Sequence, residues 1–386
     1  MRSVSVFGAT GSIGCTAASI LKRQHADFSV DTVTGGCNVA LLARVAIELG
    51  AKHAVIADNN RLEALRDALA GTGIKIAAGR DALLDAASRP VDISLQGIVG
   101  FAGVECSLRA AQHADVLALA NKESLVCAGS LIKSICAANN TTLIPVDSEH
   151  SAIFQCMTGE NQRDVERIIL TASGGPFLDT DVSDMVHVTA EQAAAHPRWA
   201  MGLRISIDSA SMFNKGMELI ETKELFDVSI DQLEVIIQPQ SIIHSMVGFV
   251  DGAIMAHLGP SDMAGAIGFA LNYPNRVEMP LERLDFASLG SLDFKPVDNE
   301  KFPAVELAMQ AMTLGGLAGT VYNAAKEQAL DLFLDGQIGF LDMSKCVDVA
   351  LNNYANNQFH DDMTIDAVID QDMRSRAVVM KQAKGL

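Results

Sequence analysis

No stretch of this 386-residue chain approaches the ~20 consecutive apolar residues that a membrane-spanning helix needs. Basic residues are scarce. Twenty-nine Lys and Arg against 47 Asp and Glu leave a formal net charge of −18. That balance argues against nucleic acid as a partner, because such binding draws mostly on neutralised phosphates. It leaves room for a small anionic ligand, which a few lysines can hold locally. The seven cysteines form no CxxC pair, and no two of the nine histidines stand at zinc-finger spacing. Scattered cysteines of this kind fit reduced thiols better than disulfides or a structural zinc. Internal repeats and low-complexity tracts are also missing. The N-terminal MRSVSVFGATGSIG lacks the apolar stretch and cleavage pattern of a signal peptide. It reads as a strand entering a turn, so the expected location is the cytoplasm.

What the sequence does have is alternation. Short apolar strand candidates occur at Ser3–Phe7, Phe28–Thr34, His53–Ala57, Ile74–Ala77, Ile93–Leu95, Val116–Leu119 and Thr142–Val146. Amphipathic stretches such as Val39–Glu48 and Asn60–Leu69 lie between them, which predicts a Rossmann-like, doubly wound parallel sheet over residues 1–146. The pattern then changes. Strand candidates at Val165–Ser173, Ile205–Ser209, Leu233–Ile237, Ser241–Val250 and Ala253–His257 follow as neighbouring strands without intervening helices. They predict a central α+β domain over 147–273, interrupted by a long loop at about 184–203. Four prolines mark an irregular linker at 274–303, and 304–386 shows helical periodicity expected of a small C-terminal bundle. The class is α/β.

Gly8, Gly11 and Gly14 follow the first strand and open the first helix. A dinucleotide pyrophosphate needs such glycines for a sharp turn and close backbone approach, and the helix adds free N–H groups and its dipole. The same glycines could also form a plain turn in a non-binding domain. After the second strand, Thr34-Gly35-Gly36-Cys37-Asn38 has no acidic residue, which disfavours NAD, and no Lys or Arg to read a 2′-phosphate. Asp147 and Glu149 end another strand; on an extended segment they would point the same way and suit Mg²⁺ or Mn²⁺. Taken alone, the pair reads more simply as a solvated acidic loop. Asn214, Lys215 and Glu218 have the spacing of one helix face, equally suited to a site or a surface ion pair. Lys122 follows a strand at the edge where doubly wound sheets bind ligands. Ser173-Gly174-Gly175 offers backbone N–H groups to an anion, or forms an ordinary turn.

Together the segments GATGSIG, ANKES, PVDSEHSAIFQ, TASGGPF, HPRWAMG, SIDSASMFNKGMELIE and QPQSIIHSMV, in that order from residue 8 to about 247, resemble the 1-deoxy-D-xylulose 5-phosphate reductoisomerases. These are NADPH enzymes of the non-mevalonate isoprenoid pathway. The resemblance implies cofactor contacts at Thr10, Gly11, Ser12, Ile13, Gly36, Asn38, Asn121, Glu123 and Gly202. It implies Mn²⁺ or Mg²⁺ ligands at Asp147, Glu149 and Glu218. Substrate contacts would be Lys122, Ser148, Glu149, Ser173, His196, Ser209, Asn214, Lys215 and Glu218, with Lys122, Glu149 and Glu218 catalytic. Trp199 and Met201 would belong to a lid within 184–203. The implied substrate is a ketose phosphate and the implied assembly a homodimer. Family members often carry a basic residue where Cys37 stands, so the NADPH preference rests on the rest of the resemblance.

Two other enzyme classes and one non-enzyme share parts of this pattern. Tyr322-Asn323-Ala324-Ala325-Lys326 matches the YxxxK pattern of short-chain dehydrogenases. It lies in the helical C-terminal segment, far along the chain from the nucleotide domain, and reads as a chance match. An aspartate-semialdehyde-type dehydrogenase also begins with GATG, but neither Cys127 nor Cys156 sits in that family's nucleophile motif. A dinucleotide-sensing regulator would not need three carboxylates together with Lys122 and Lys215.

Overall fold

A computed structural model describes residues 1–195, 197–199, 202–357 and 363–385. The chain forms two compact units. The first comprises Met1–Ser124, Leu131–Ser151 and Met263–Leu281. Its strands are β1 (Arg2–Phe7), β2 (Phe28–Gly35), β3 (His53–Ile56), β4 (Lys75–Ala78), β5 (Val91–Gln96), β6 (Ala114–Leu119) and β7 (Thr142–Pro145). They make one parallel sheet in the order β4-β3-β2-β1-β5-β6-β7. Parallel strands need both faces covered, and their sequences run apolar accordingly: Val4, Val6, Phe7, Ile93, Leu95 and Leu117 have no exposure.

The strand order reverses between β1 and β5, so a crevice opens at their carboxyl ends. The turns after β1, β2, β6 and β7 carry every candidate cofactor or metal residue expected in this unit. The chain also returns to the unit late. Helix Ala264–Asn272 lies against helix Ser12–Arg23, where Asn272 Nδ2 donates to Gln24 Oε1 at 3.2 Å and Arg2 donates to the Leu271 carbonyl at 3.0 Å.

The second unit comprises Leu125–Ser130, Ala152–Asp262 and the chain from Glu282 onward. Its sheet contains β8 (Val165–Ala172), β9 (Leu233–Ile237), β10 (Ile243–Phe249), β11 (Ile254–Leu258) and β12 (Lys295–Pro296), in the order β11-β10-β8-β9-β12. Only the β8–β9 pair is parallel among these neighbours. Helices Ala304–Leu314, Ala318–Leu334, Asp342–Asn357 and Ile365–Gln382 follow.

Two local expectations change. Ile205–Ser209, expected as a strand, lies in helix Leu203–Ala210. Alternating Ile205 and Ile207 suggest a strand, but burial of Ile207, Ala210 and Ser211 follows the i, i+3, i+4 rhythm of a helix packed on one face. The expected loop 184–203 contains part of helix Val182–Met185 and all of helix Ala190–Ala194, the latter closed by a Thr189–Gln192 capping box.

Candidate active site

Sterics at the glycine turn divide the three glycines. A side-chain carbon at Gly14 would lie 2.2 Å from the Gly8 carbonyl oxygen, and one at Gly8 would lie 2.4 Å from that of Gly97. Gly8 also has φ +78. These two let the helix close on β1 and let the turns after β1 and β5 meet. At Gly11 the nearest contact is an ordinary 3.4 Å, so nothing within the protein requires glycine there. Helix Ser12–Arg23 begins without a side-chain cap or an acidic residue in its first turn, the condition in which its N–H groups suit a phosphate.

Gly36 and Asn38 are exposed after β2, and Asn38 Oδ1 accepts from Leu41 N at 3.1 Å, capping the next helix. Asn121 is buried and caps helix Lys122–Asn139 by accepting from Ser124 N at 3.0 Å. Its Nδ2 donates to the carbonyls of Ile98 (2.7 Å) and Gly100 (3.0 Å) and to Glu123 Oε2 (2.7 Å). Glu123 Oε1 accepts from Gly100 N at 3.2 Å. Asn121 and Glu123 together hold the loop after β5 against the turn after β6.

At the end of β7, Asp147 precedes helix Ser148–Cys156 and Glu149 lies in that helix's first turn. The two carboxylates are therefore not side by side on an extended strand, as their spacing alone suggests. Ser148 Oγ donates to Glu149 Oε2 at 2.6 Å. Asp147 forms an ion pair with Lys122, and the buried His150 places Nδ1 3.7 Å from Asp147 Oδ2. Burial works against ionisation of Asp147, yet the Lys122 ammonium and His150 outweigh it and hold the carboxyl well below the usual carboxylate range. The acidic pair in the sequence does not by itself single out His150. Its i, i+3 relation to Asp147 on a helix is the signal that finds it.

In the second unit, Ser173 follows β8. Gly174 and Gly175 take left-handed φ values of +84 and +65, and Gly175 N donates to Ser173 Oγ at 3.1 Å. This turn abuts the end of helix Leu203–Ala210: a side-chain carbon at Gly175 would lie 3.0 Å from Ala210 Cα and 3.2 Å from the Ser209 carbonyl oxygen. Ser173 and Ser209 are thus brought to one corner. Met212, with φ +63, breaks the chain between that helix and helix Phe213–Phe226. Asn214, Lys215 and Glu218 do share a helix face. Asn214 Nδ2 donates to Glu218 Oε1 and Lys215 Nζ to Glu218 Oε2, with Lys215 and Glu218 buried. A fully buried carboxylate is costly unless charge-assisted bonds hold it, and here two do.

The Trp199 ring lies tilted against that of His244 with centroids 6.1 Å apart, and Arg198 Nε donates to the Pro239 carbonyl at 3.3 Å. Gly202 is the exposed N-cap of helix Leu203–Ala210. His196 and Met201 lie outside the described residues.

Three family models match: 1-deoxy-D-xylulose 5-phosphate reductoisomerase at residues 4–129, its C-terminal domain at 143–226, and the DXP reductoisomerase C-terminal domain at 258–378. The 1-deoxy-D-xylulose 5-phosphate reductoisomerase of Cereibacter sphaeroides is 53% identical over 354 residues, 91% of this chain and 90% of the relative. That of Ruegeria pomeroyi is 50% identical over 378 residues, 97% and 96% of the two chains. Among solved structures, the Zymomonas mobilis reductoisomerase in complex with NADPH superposes with a TM-score of 0.93 at 44% identity, covering 100% of both chains. A DOX-P reductoisomerase in complex with NADPH, fosmidomycin and magnesium superposes with a TM-score of 0.95 at 34% identity, over 100% of this chain and 98% of that one. With glycine turn, carboxylates and C-terminal helices matched over nearly its whole length, the chain belongs to the 1-deoxy-D-xylulose 5-phosphate reductoisomerase family.

Proposed function

We propose that Asp147, Glu149 and Glu218 hold the divalent cation of this enzyme, and that Lys122, Ser148, Ser173, His196, Ser209, Asn214 and Lys215 hold its substrate. The activity itself is the NADPH- and metal-dependent rearrangement and reduction of 1-deoxy-D-xylulose 5-phosphate to 2-C-methyl-D-erythritol 4-phosphate. When bound, the cation supplies Lewis-acid stabilisation of developing oxyanions and NADPH supplies the hydride.

Glu218 carries the reading. It is a carboxylate with no solvent exposure, bonded to two other candidate site residues in the same helix. The donor set is all oxygen, which suits Mg²⁺ or Mn²⁺ and not a thiolate-seeking metal. Lys122 keeps Asp147 ionised and ready to bind a cation at neutral pH. Ser148 holds Glu149 by a hydrogen bond. The Ser173–Gly175 turn meets Ser209 at one corner, and Asn214 and Lys215 open the helix that follows; this donor set suits the phosphate of the substrate. At the other end, Gly11, Ser12 and Ile13 offer helix N-terminal N–H groups to the cofactor pyrophosphate, with Thr10 beside them. Gly36 and Asn38 serve its adenosine side. Asn121 and Glu123 act on it through the loop they hold, and Gly202 completes the set. Trp199 and Met201 close over the substrate and exclude water.

The chain reads as a cytoplasmic homodimer. All seven cysteines are free, as a reducing compartment requires, and no helix among the described residues is long and apolar enough to cross a membrane. Edge strand β11 exposes Ile254 and Met255, with Val250 beside it, the kind of apolar edge that a second copy would cover.

The test follows NADPH absorbance with 1-deoxy-D-xylulose 5-phosphate and Mn²⁺ while a hydroxamate phosphonate is titrated in. Competition with substrate is expected, since hydroxamates chelate metal and phosphonates mimic phosphate. Inhibition indifferent to substrate concentration would contradict the assignment.

A further inference from the structure

The Tyr322–Lys326 pair, a chance match to a dehydrogenase motif in sequence, occupies a pointed position in the second unit. Helix Ala318–Leu334 sets the two side chains one turn apart. Lys326 is buried, and its Nζ lies 3.0 Å from Asp208 Oδ2. Asp208 is the residue before Ser209. Tyr322 has no exposure; its hydroxyl donates to the Ala304 carbonyl at 2.9 Å and its ring meets that of Phe213 edge-on at 5.8 Å. A side-chain carbon at Gly216 would lie 1.9 Å from the Tyr322 hydroxyl oxygen, so Tyr322 packs directly on Gly216, the residue after Lys215. One helical turn therefore supports the neighbours of Ser209 and of Lys215 at once. Further along the same helix, Asp331 Oδ1 accepts from Arg204 at 2.5 Å, tying the first turn of helix Leu203–Ala210 to it as well.

Neither residue is placed for proton transfer. Burial, and then the Asp208 charge, push the Tyr322 phenol well above its ordinary value, so it stays protonated. The charge arrangement matters more. A phosphate monoester carries nearly two negative charges at neutral pH. A lone carboxylate one residue from Ser209 would repel it at low dielectric, and Lys326 cancels that carboxylate.

We propose that Lys326 and Tyr322 are positioning residues for the phosphate end of the substrate, given the assignment of Ser209, Asn214 and Lys215 above. Lys326 neutralises and fixes Asp208 behind Ser209. Tyr322 fixes the helix that carries Asn214 and Lys215 at Gly216.

The test is steady-state kinetics of the full-length enzyme with 1-deoxy-D-xylulose 5-phosphate, NADPH and Mn²⁺, with NADPH affinity measured separately. Lys326→Met leaves the Asp208 charge without its partner. It should raise KM for the sugar phosphate about tenfold while kcat falls less than about threefold, and NADPH affinity should hold. The double variant Asp208→Asn with Lys326→Met removes both charges and should return KM to within about threefold of the native value. A merely structural bond would leave both variants equally impaired. If Lys326→Met fails to fold, Asp208→Asn alone decides. Removing the repelling carboxylate while keeping Lys326 should leave KM within about twofold of native, whereas a tenfold rise would overturn the proposal. Equal losses in kcat, KM and NADPH affinity in Lys326→Met, or no rescue in the double variant, would overturn it too. Ser209→Ala and Lys215→Met, run alongside, separate the two layers. If they leave the sugar-phosphate KM unchanged, the phosphate assignment fails. If they raise it and Lys326→Met does not, only the positioning role fails.

Discussion

At the carboxyl ends of β1, β2 and β6, the first unit presents glycines, asparagine caps and backbone N–H groups. At the break between helices Leu203–Ala210 and Phe213–Phe226, the second unit presents Lys215 and Glu218, buried and ion-paired, with Asp208 and Lys326 paired close behind. The first region offers shape and partial charge; the second offers full charges taken out of water, as the Lys122–Asp147 pair after β6 and β7 also does. The difference fits the tasks proposed for the two regions. A pyrophosphate needs only close backbone approach and a helix dipole, at little desolvation cost. A rearrangement that develops negative charge needs fixed ions, and buried ions persist only when every one is paired. The second unit meets that demand with a second layer of helices. Arg376 bonds Glu327 at 2.7 Å and Asp372 at 2.7 Å behind the Lys326 pair, joining helices Ala318–Leu334 and Ile365–Gln382. Variants at the glycine turn should therefore act through sterics, and those at the buried ion pairs through charge.

The largest effect is expected from Glu218→Gln. Removing the charge of this proposed metal ligand should lower kcat about a thousandfold or more, while NADPH affinity, measured by fluorescence titration, stays within about twofold. Loss of NADPH binding to the same degree would erase the contrast between the regions. Next comes Gly14→Ala, whose new carbon meets the Gly8 carbonyl at 2.2 Å. It should cost about 2–4 kcal/mol in urea unfolding. Gly11→Ala meets only an ordinary contact and should cost less than about 0.5 kcal/mol in the same experiment. Equal losses would show that the turn does not depend on close packing of helix against strand.

Asp31 sharpens the contrast from the other side, as a charged group of the first unit serving stability alone. Burial opposes its ionisation, but Arg89, with Nε 2.7 Å from Oδ2, Thr32 and His53 hold its carboxyl below the usual range. Its folded value is depressed, so its contribution is fully present above about pH 4 and is lost as pH falls further. Arg89→Met should cost about 1–2 kcal/mol at pH 7, the difference shrinking toward acid, with kcat unchanged. A change in kcat with native stability would contradict this. The smallest effect is expected at exposed Cys37. Cys37→Arg should favour NADPH over NADH by a further factor of about three, read from the two kcat/KM values. An unchanged ratio would place the 2′-phosphate contact elsewhere.

The two regions also differed in how far they could be read beforehand. The glycine turn, the alternation of β1–β7 and helices such as Val39–Glu48 and Ala304–Leu314 are local in cause, and their residues stand where the pattern puts them. Asn214, Lys215 and Glu218 were legible for the same reason, since one helix sets their spacing. Ile205–Ser209 reads as a strand in sequence, whereas it lies in a helix tied to residues distant in sequence through Arg204–Asp331 and Asp208–Lys326. The spacing of Asp147 and Glu149 suggests an extended strand, but their geometry comes from a helix start. Lys326 and Tyr322 were legible only as a false motif. Their partners, Asp208 and Gly216, lie about a hundred residues away, and no local rule connects them.

The central claim is that Glu218 turns a dinucleotide-binding chain into a metal-dependent rearranging one. The most direct measurement is NADPH oxidation with 1-deoxy-D-xylulose 5-phosphate, after chelation of divalent metal and again after Mn²⁺ is restored, in native enzyme and in Glu218→Gln. The expected result is full loss and recovery in the native enzyme, with no recovery in the variant although it still binds NADPH. Turnover that survives chelation, or a variant that recovers with added Mn²⁺ as the native enzyme does, would contradict it.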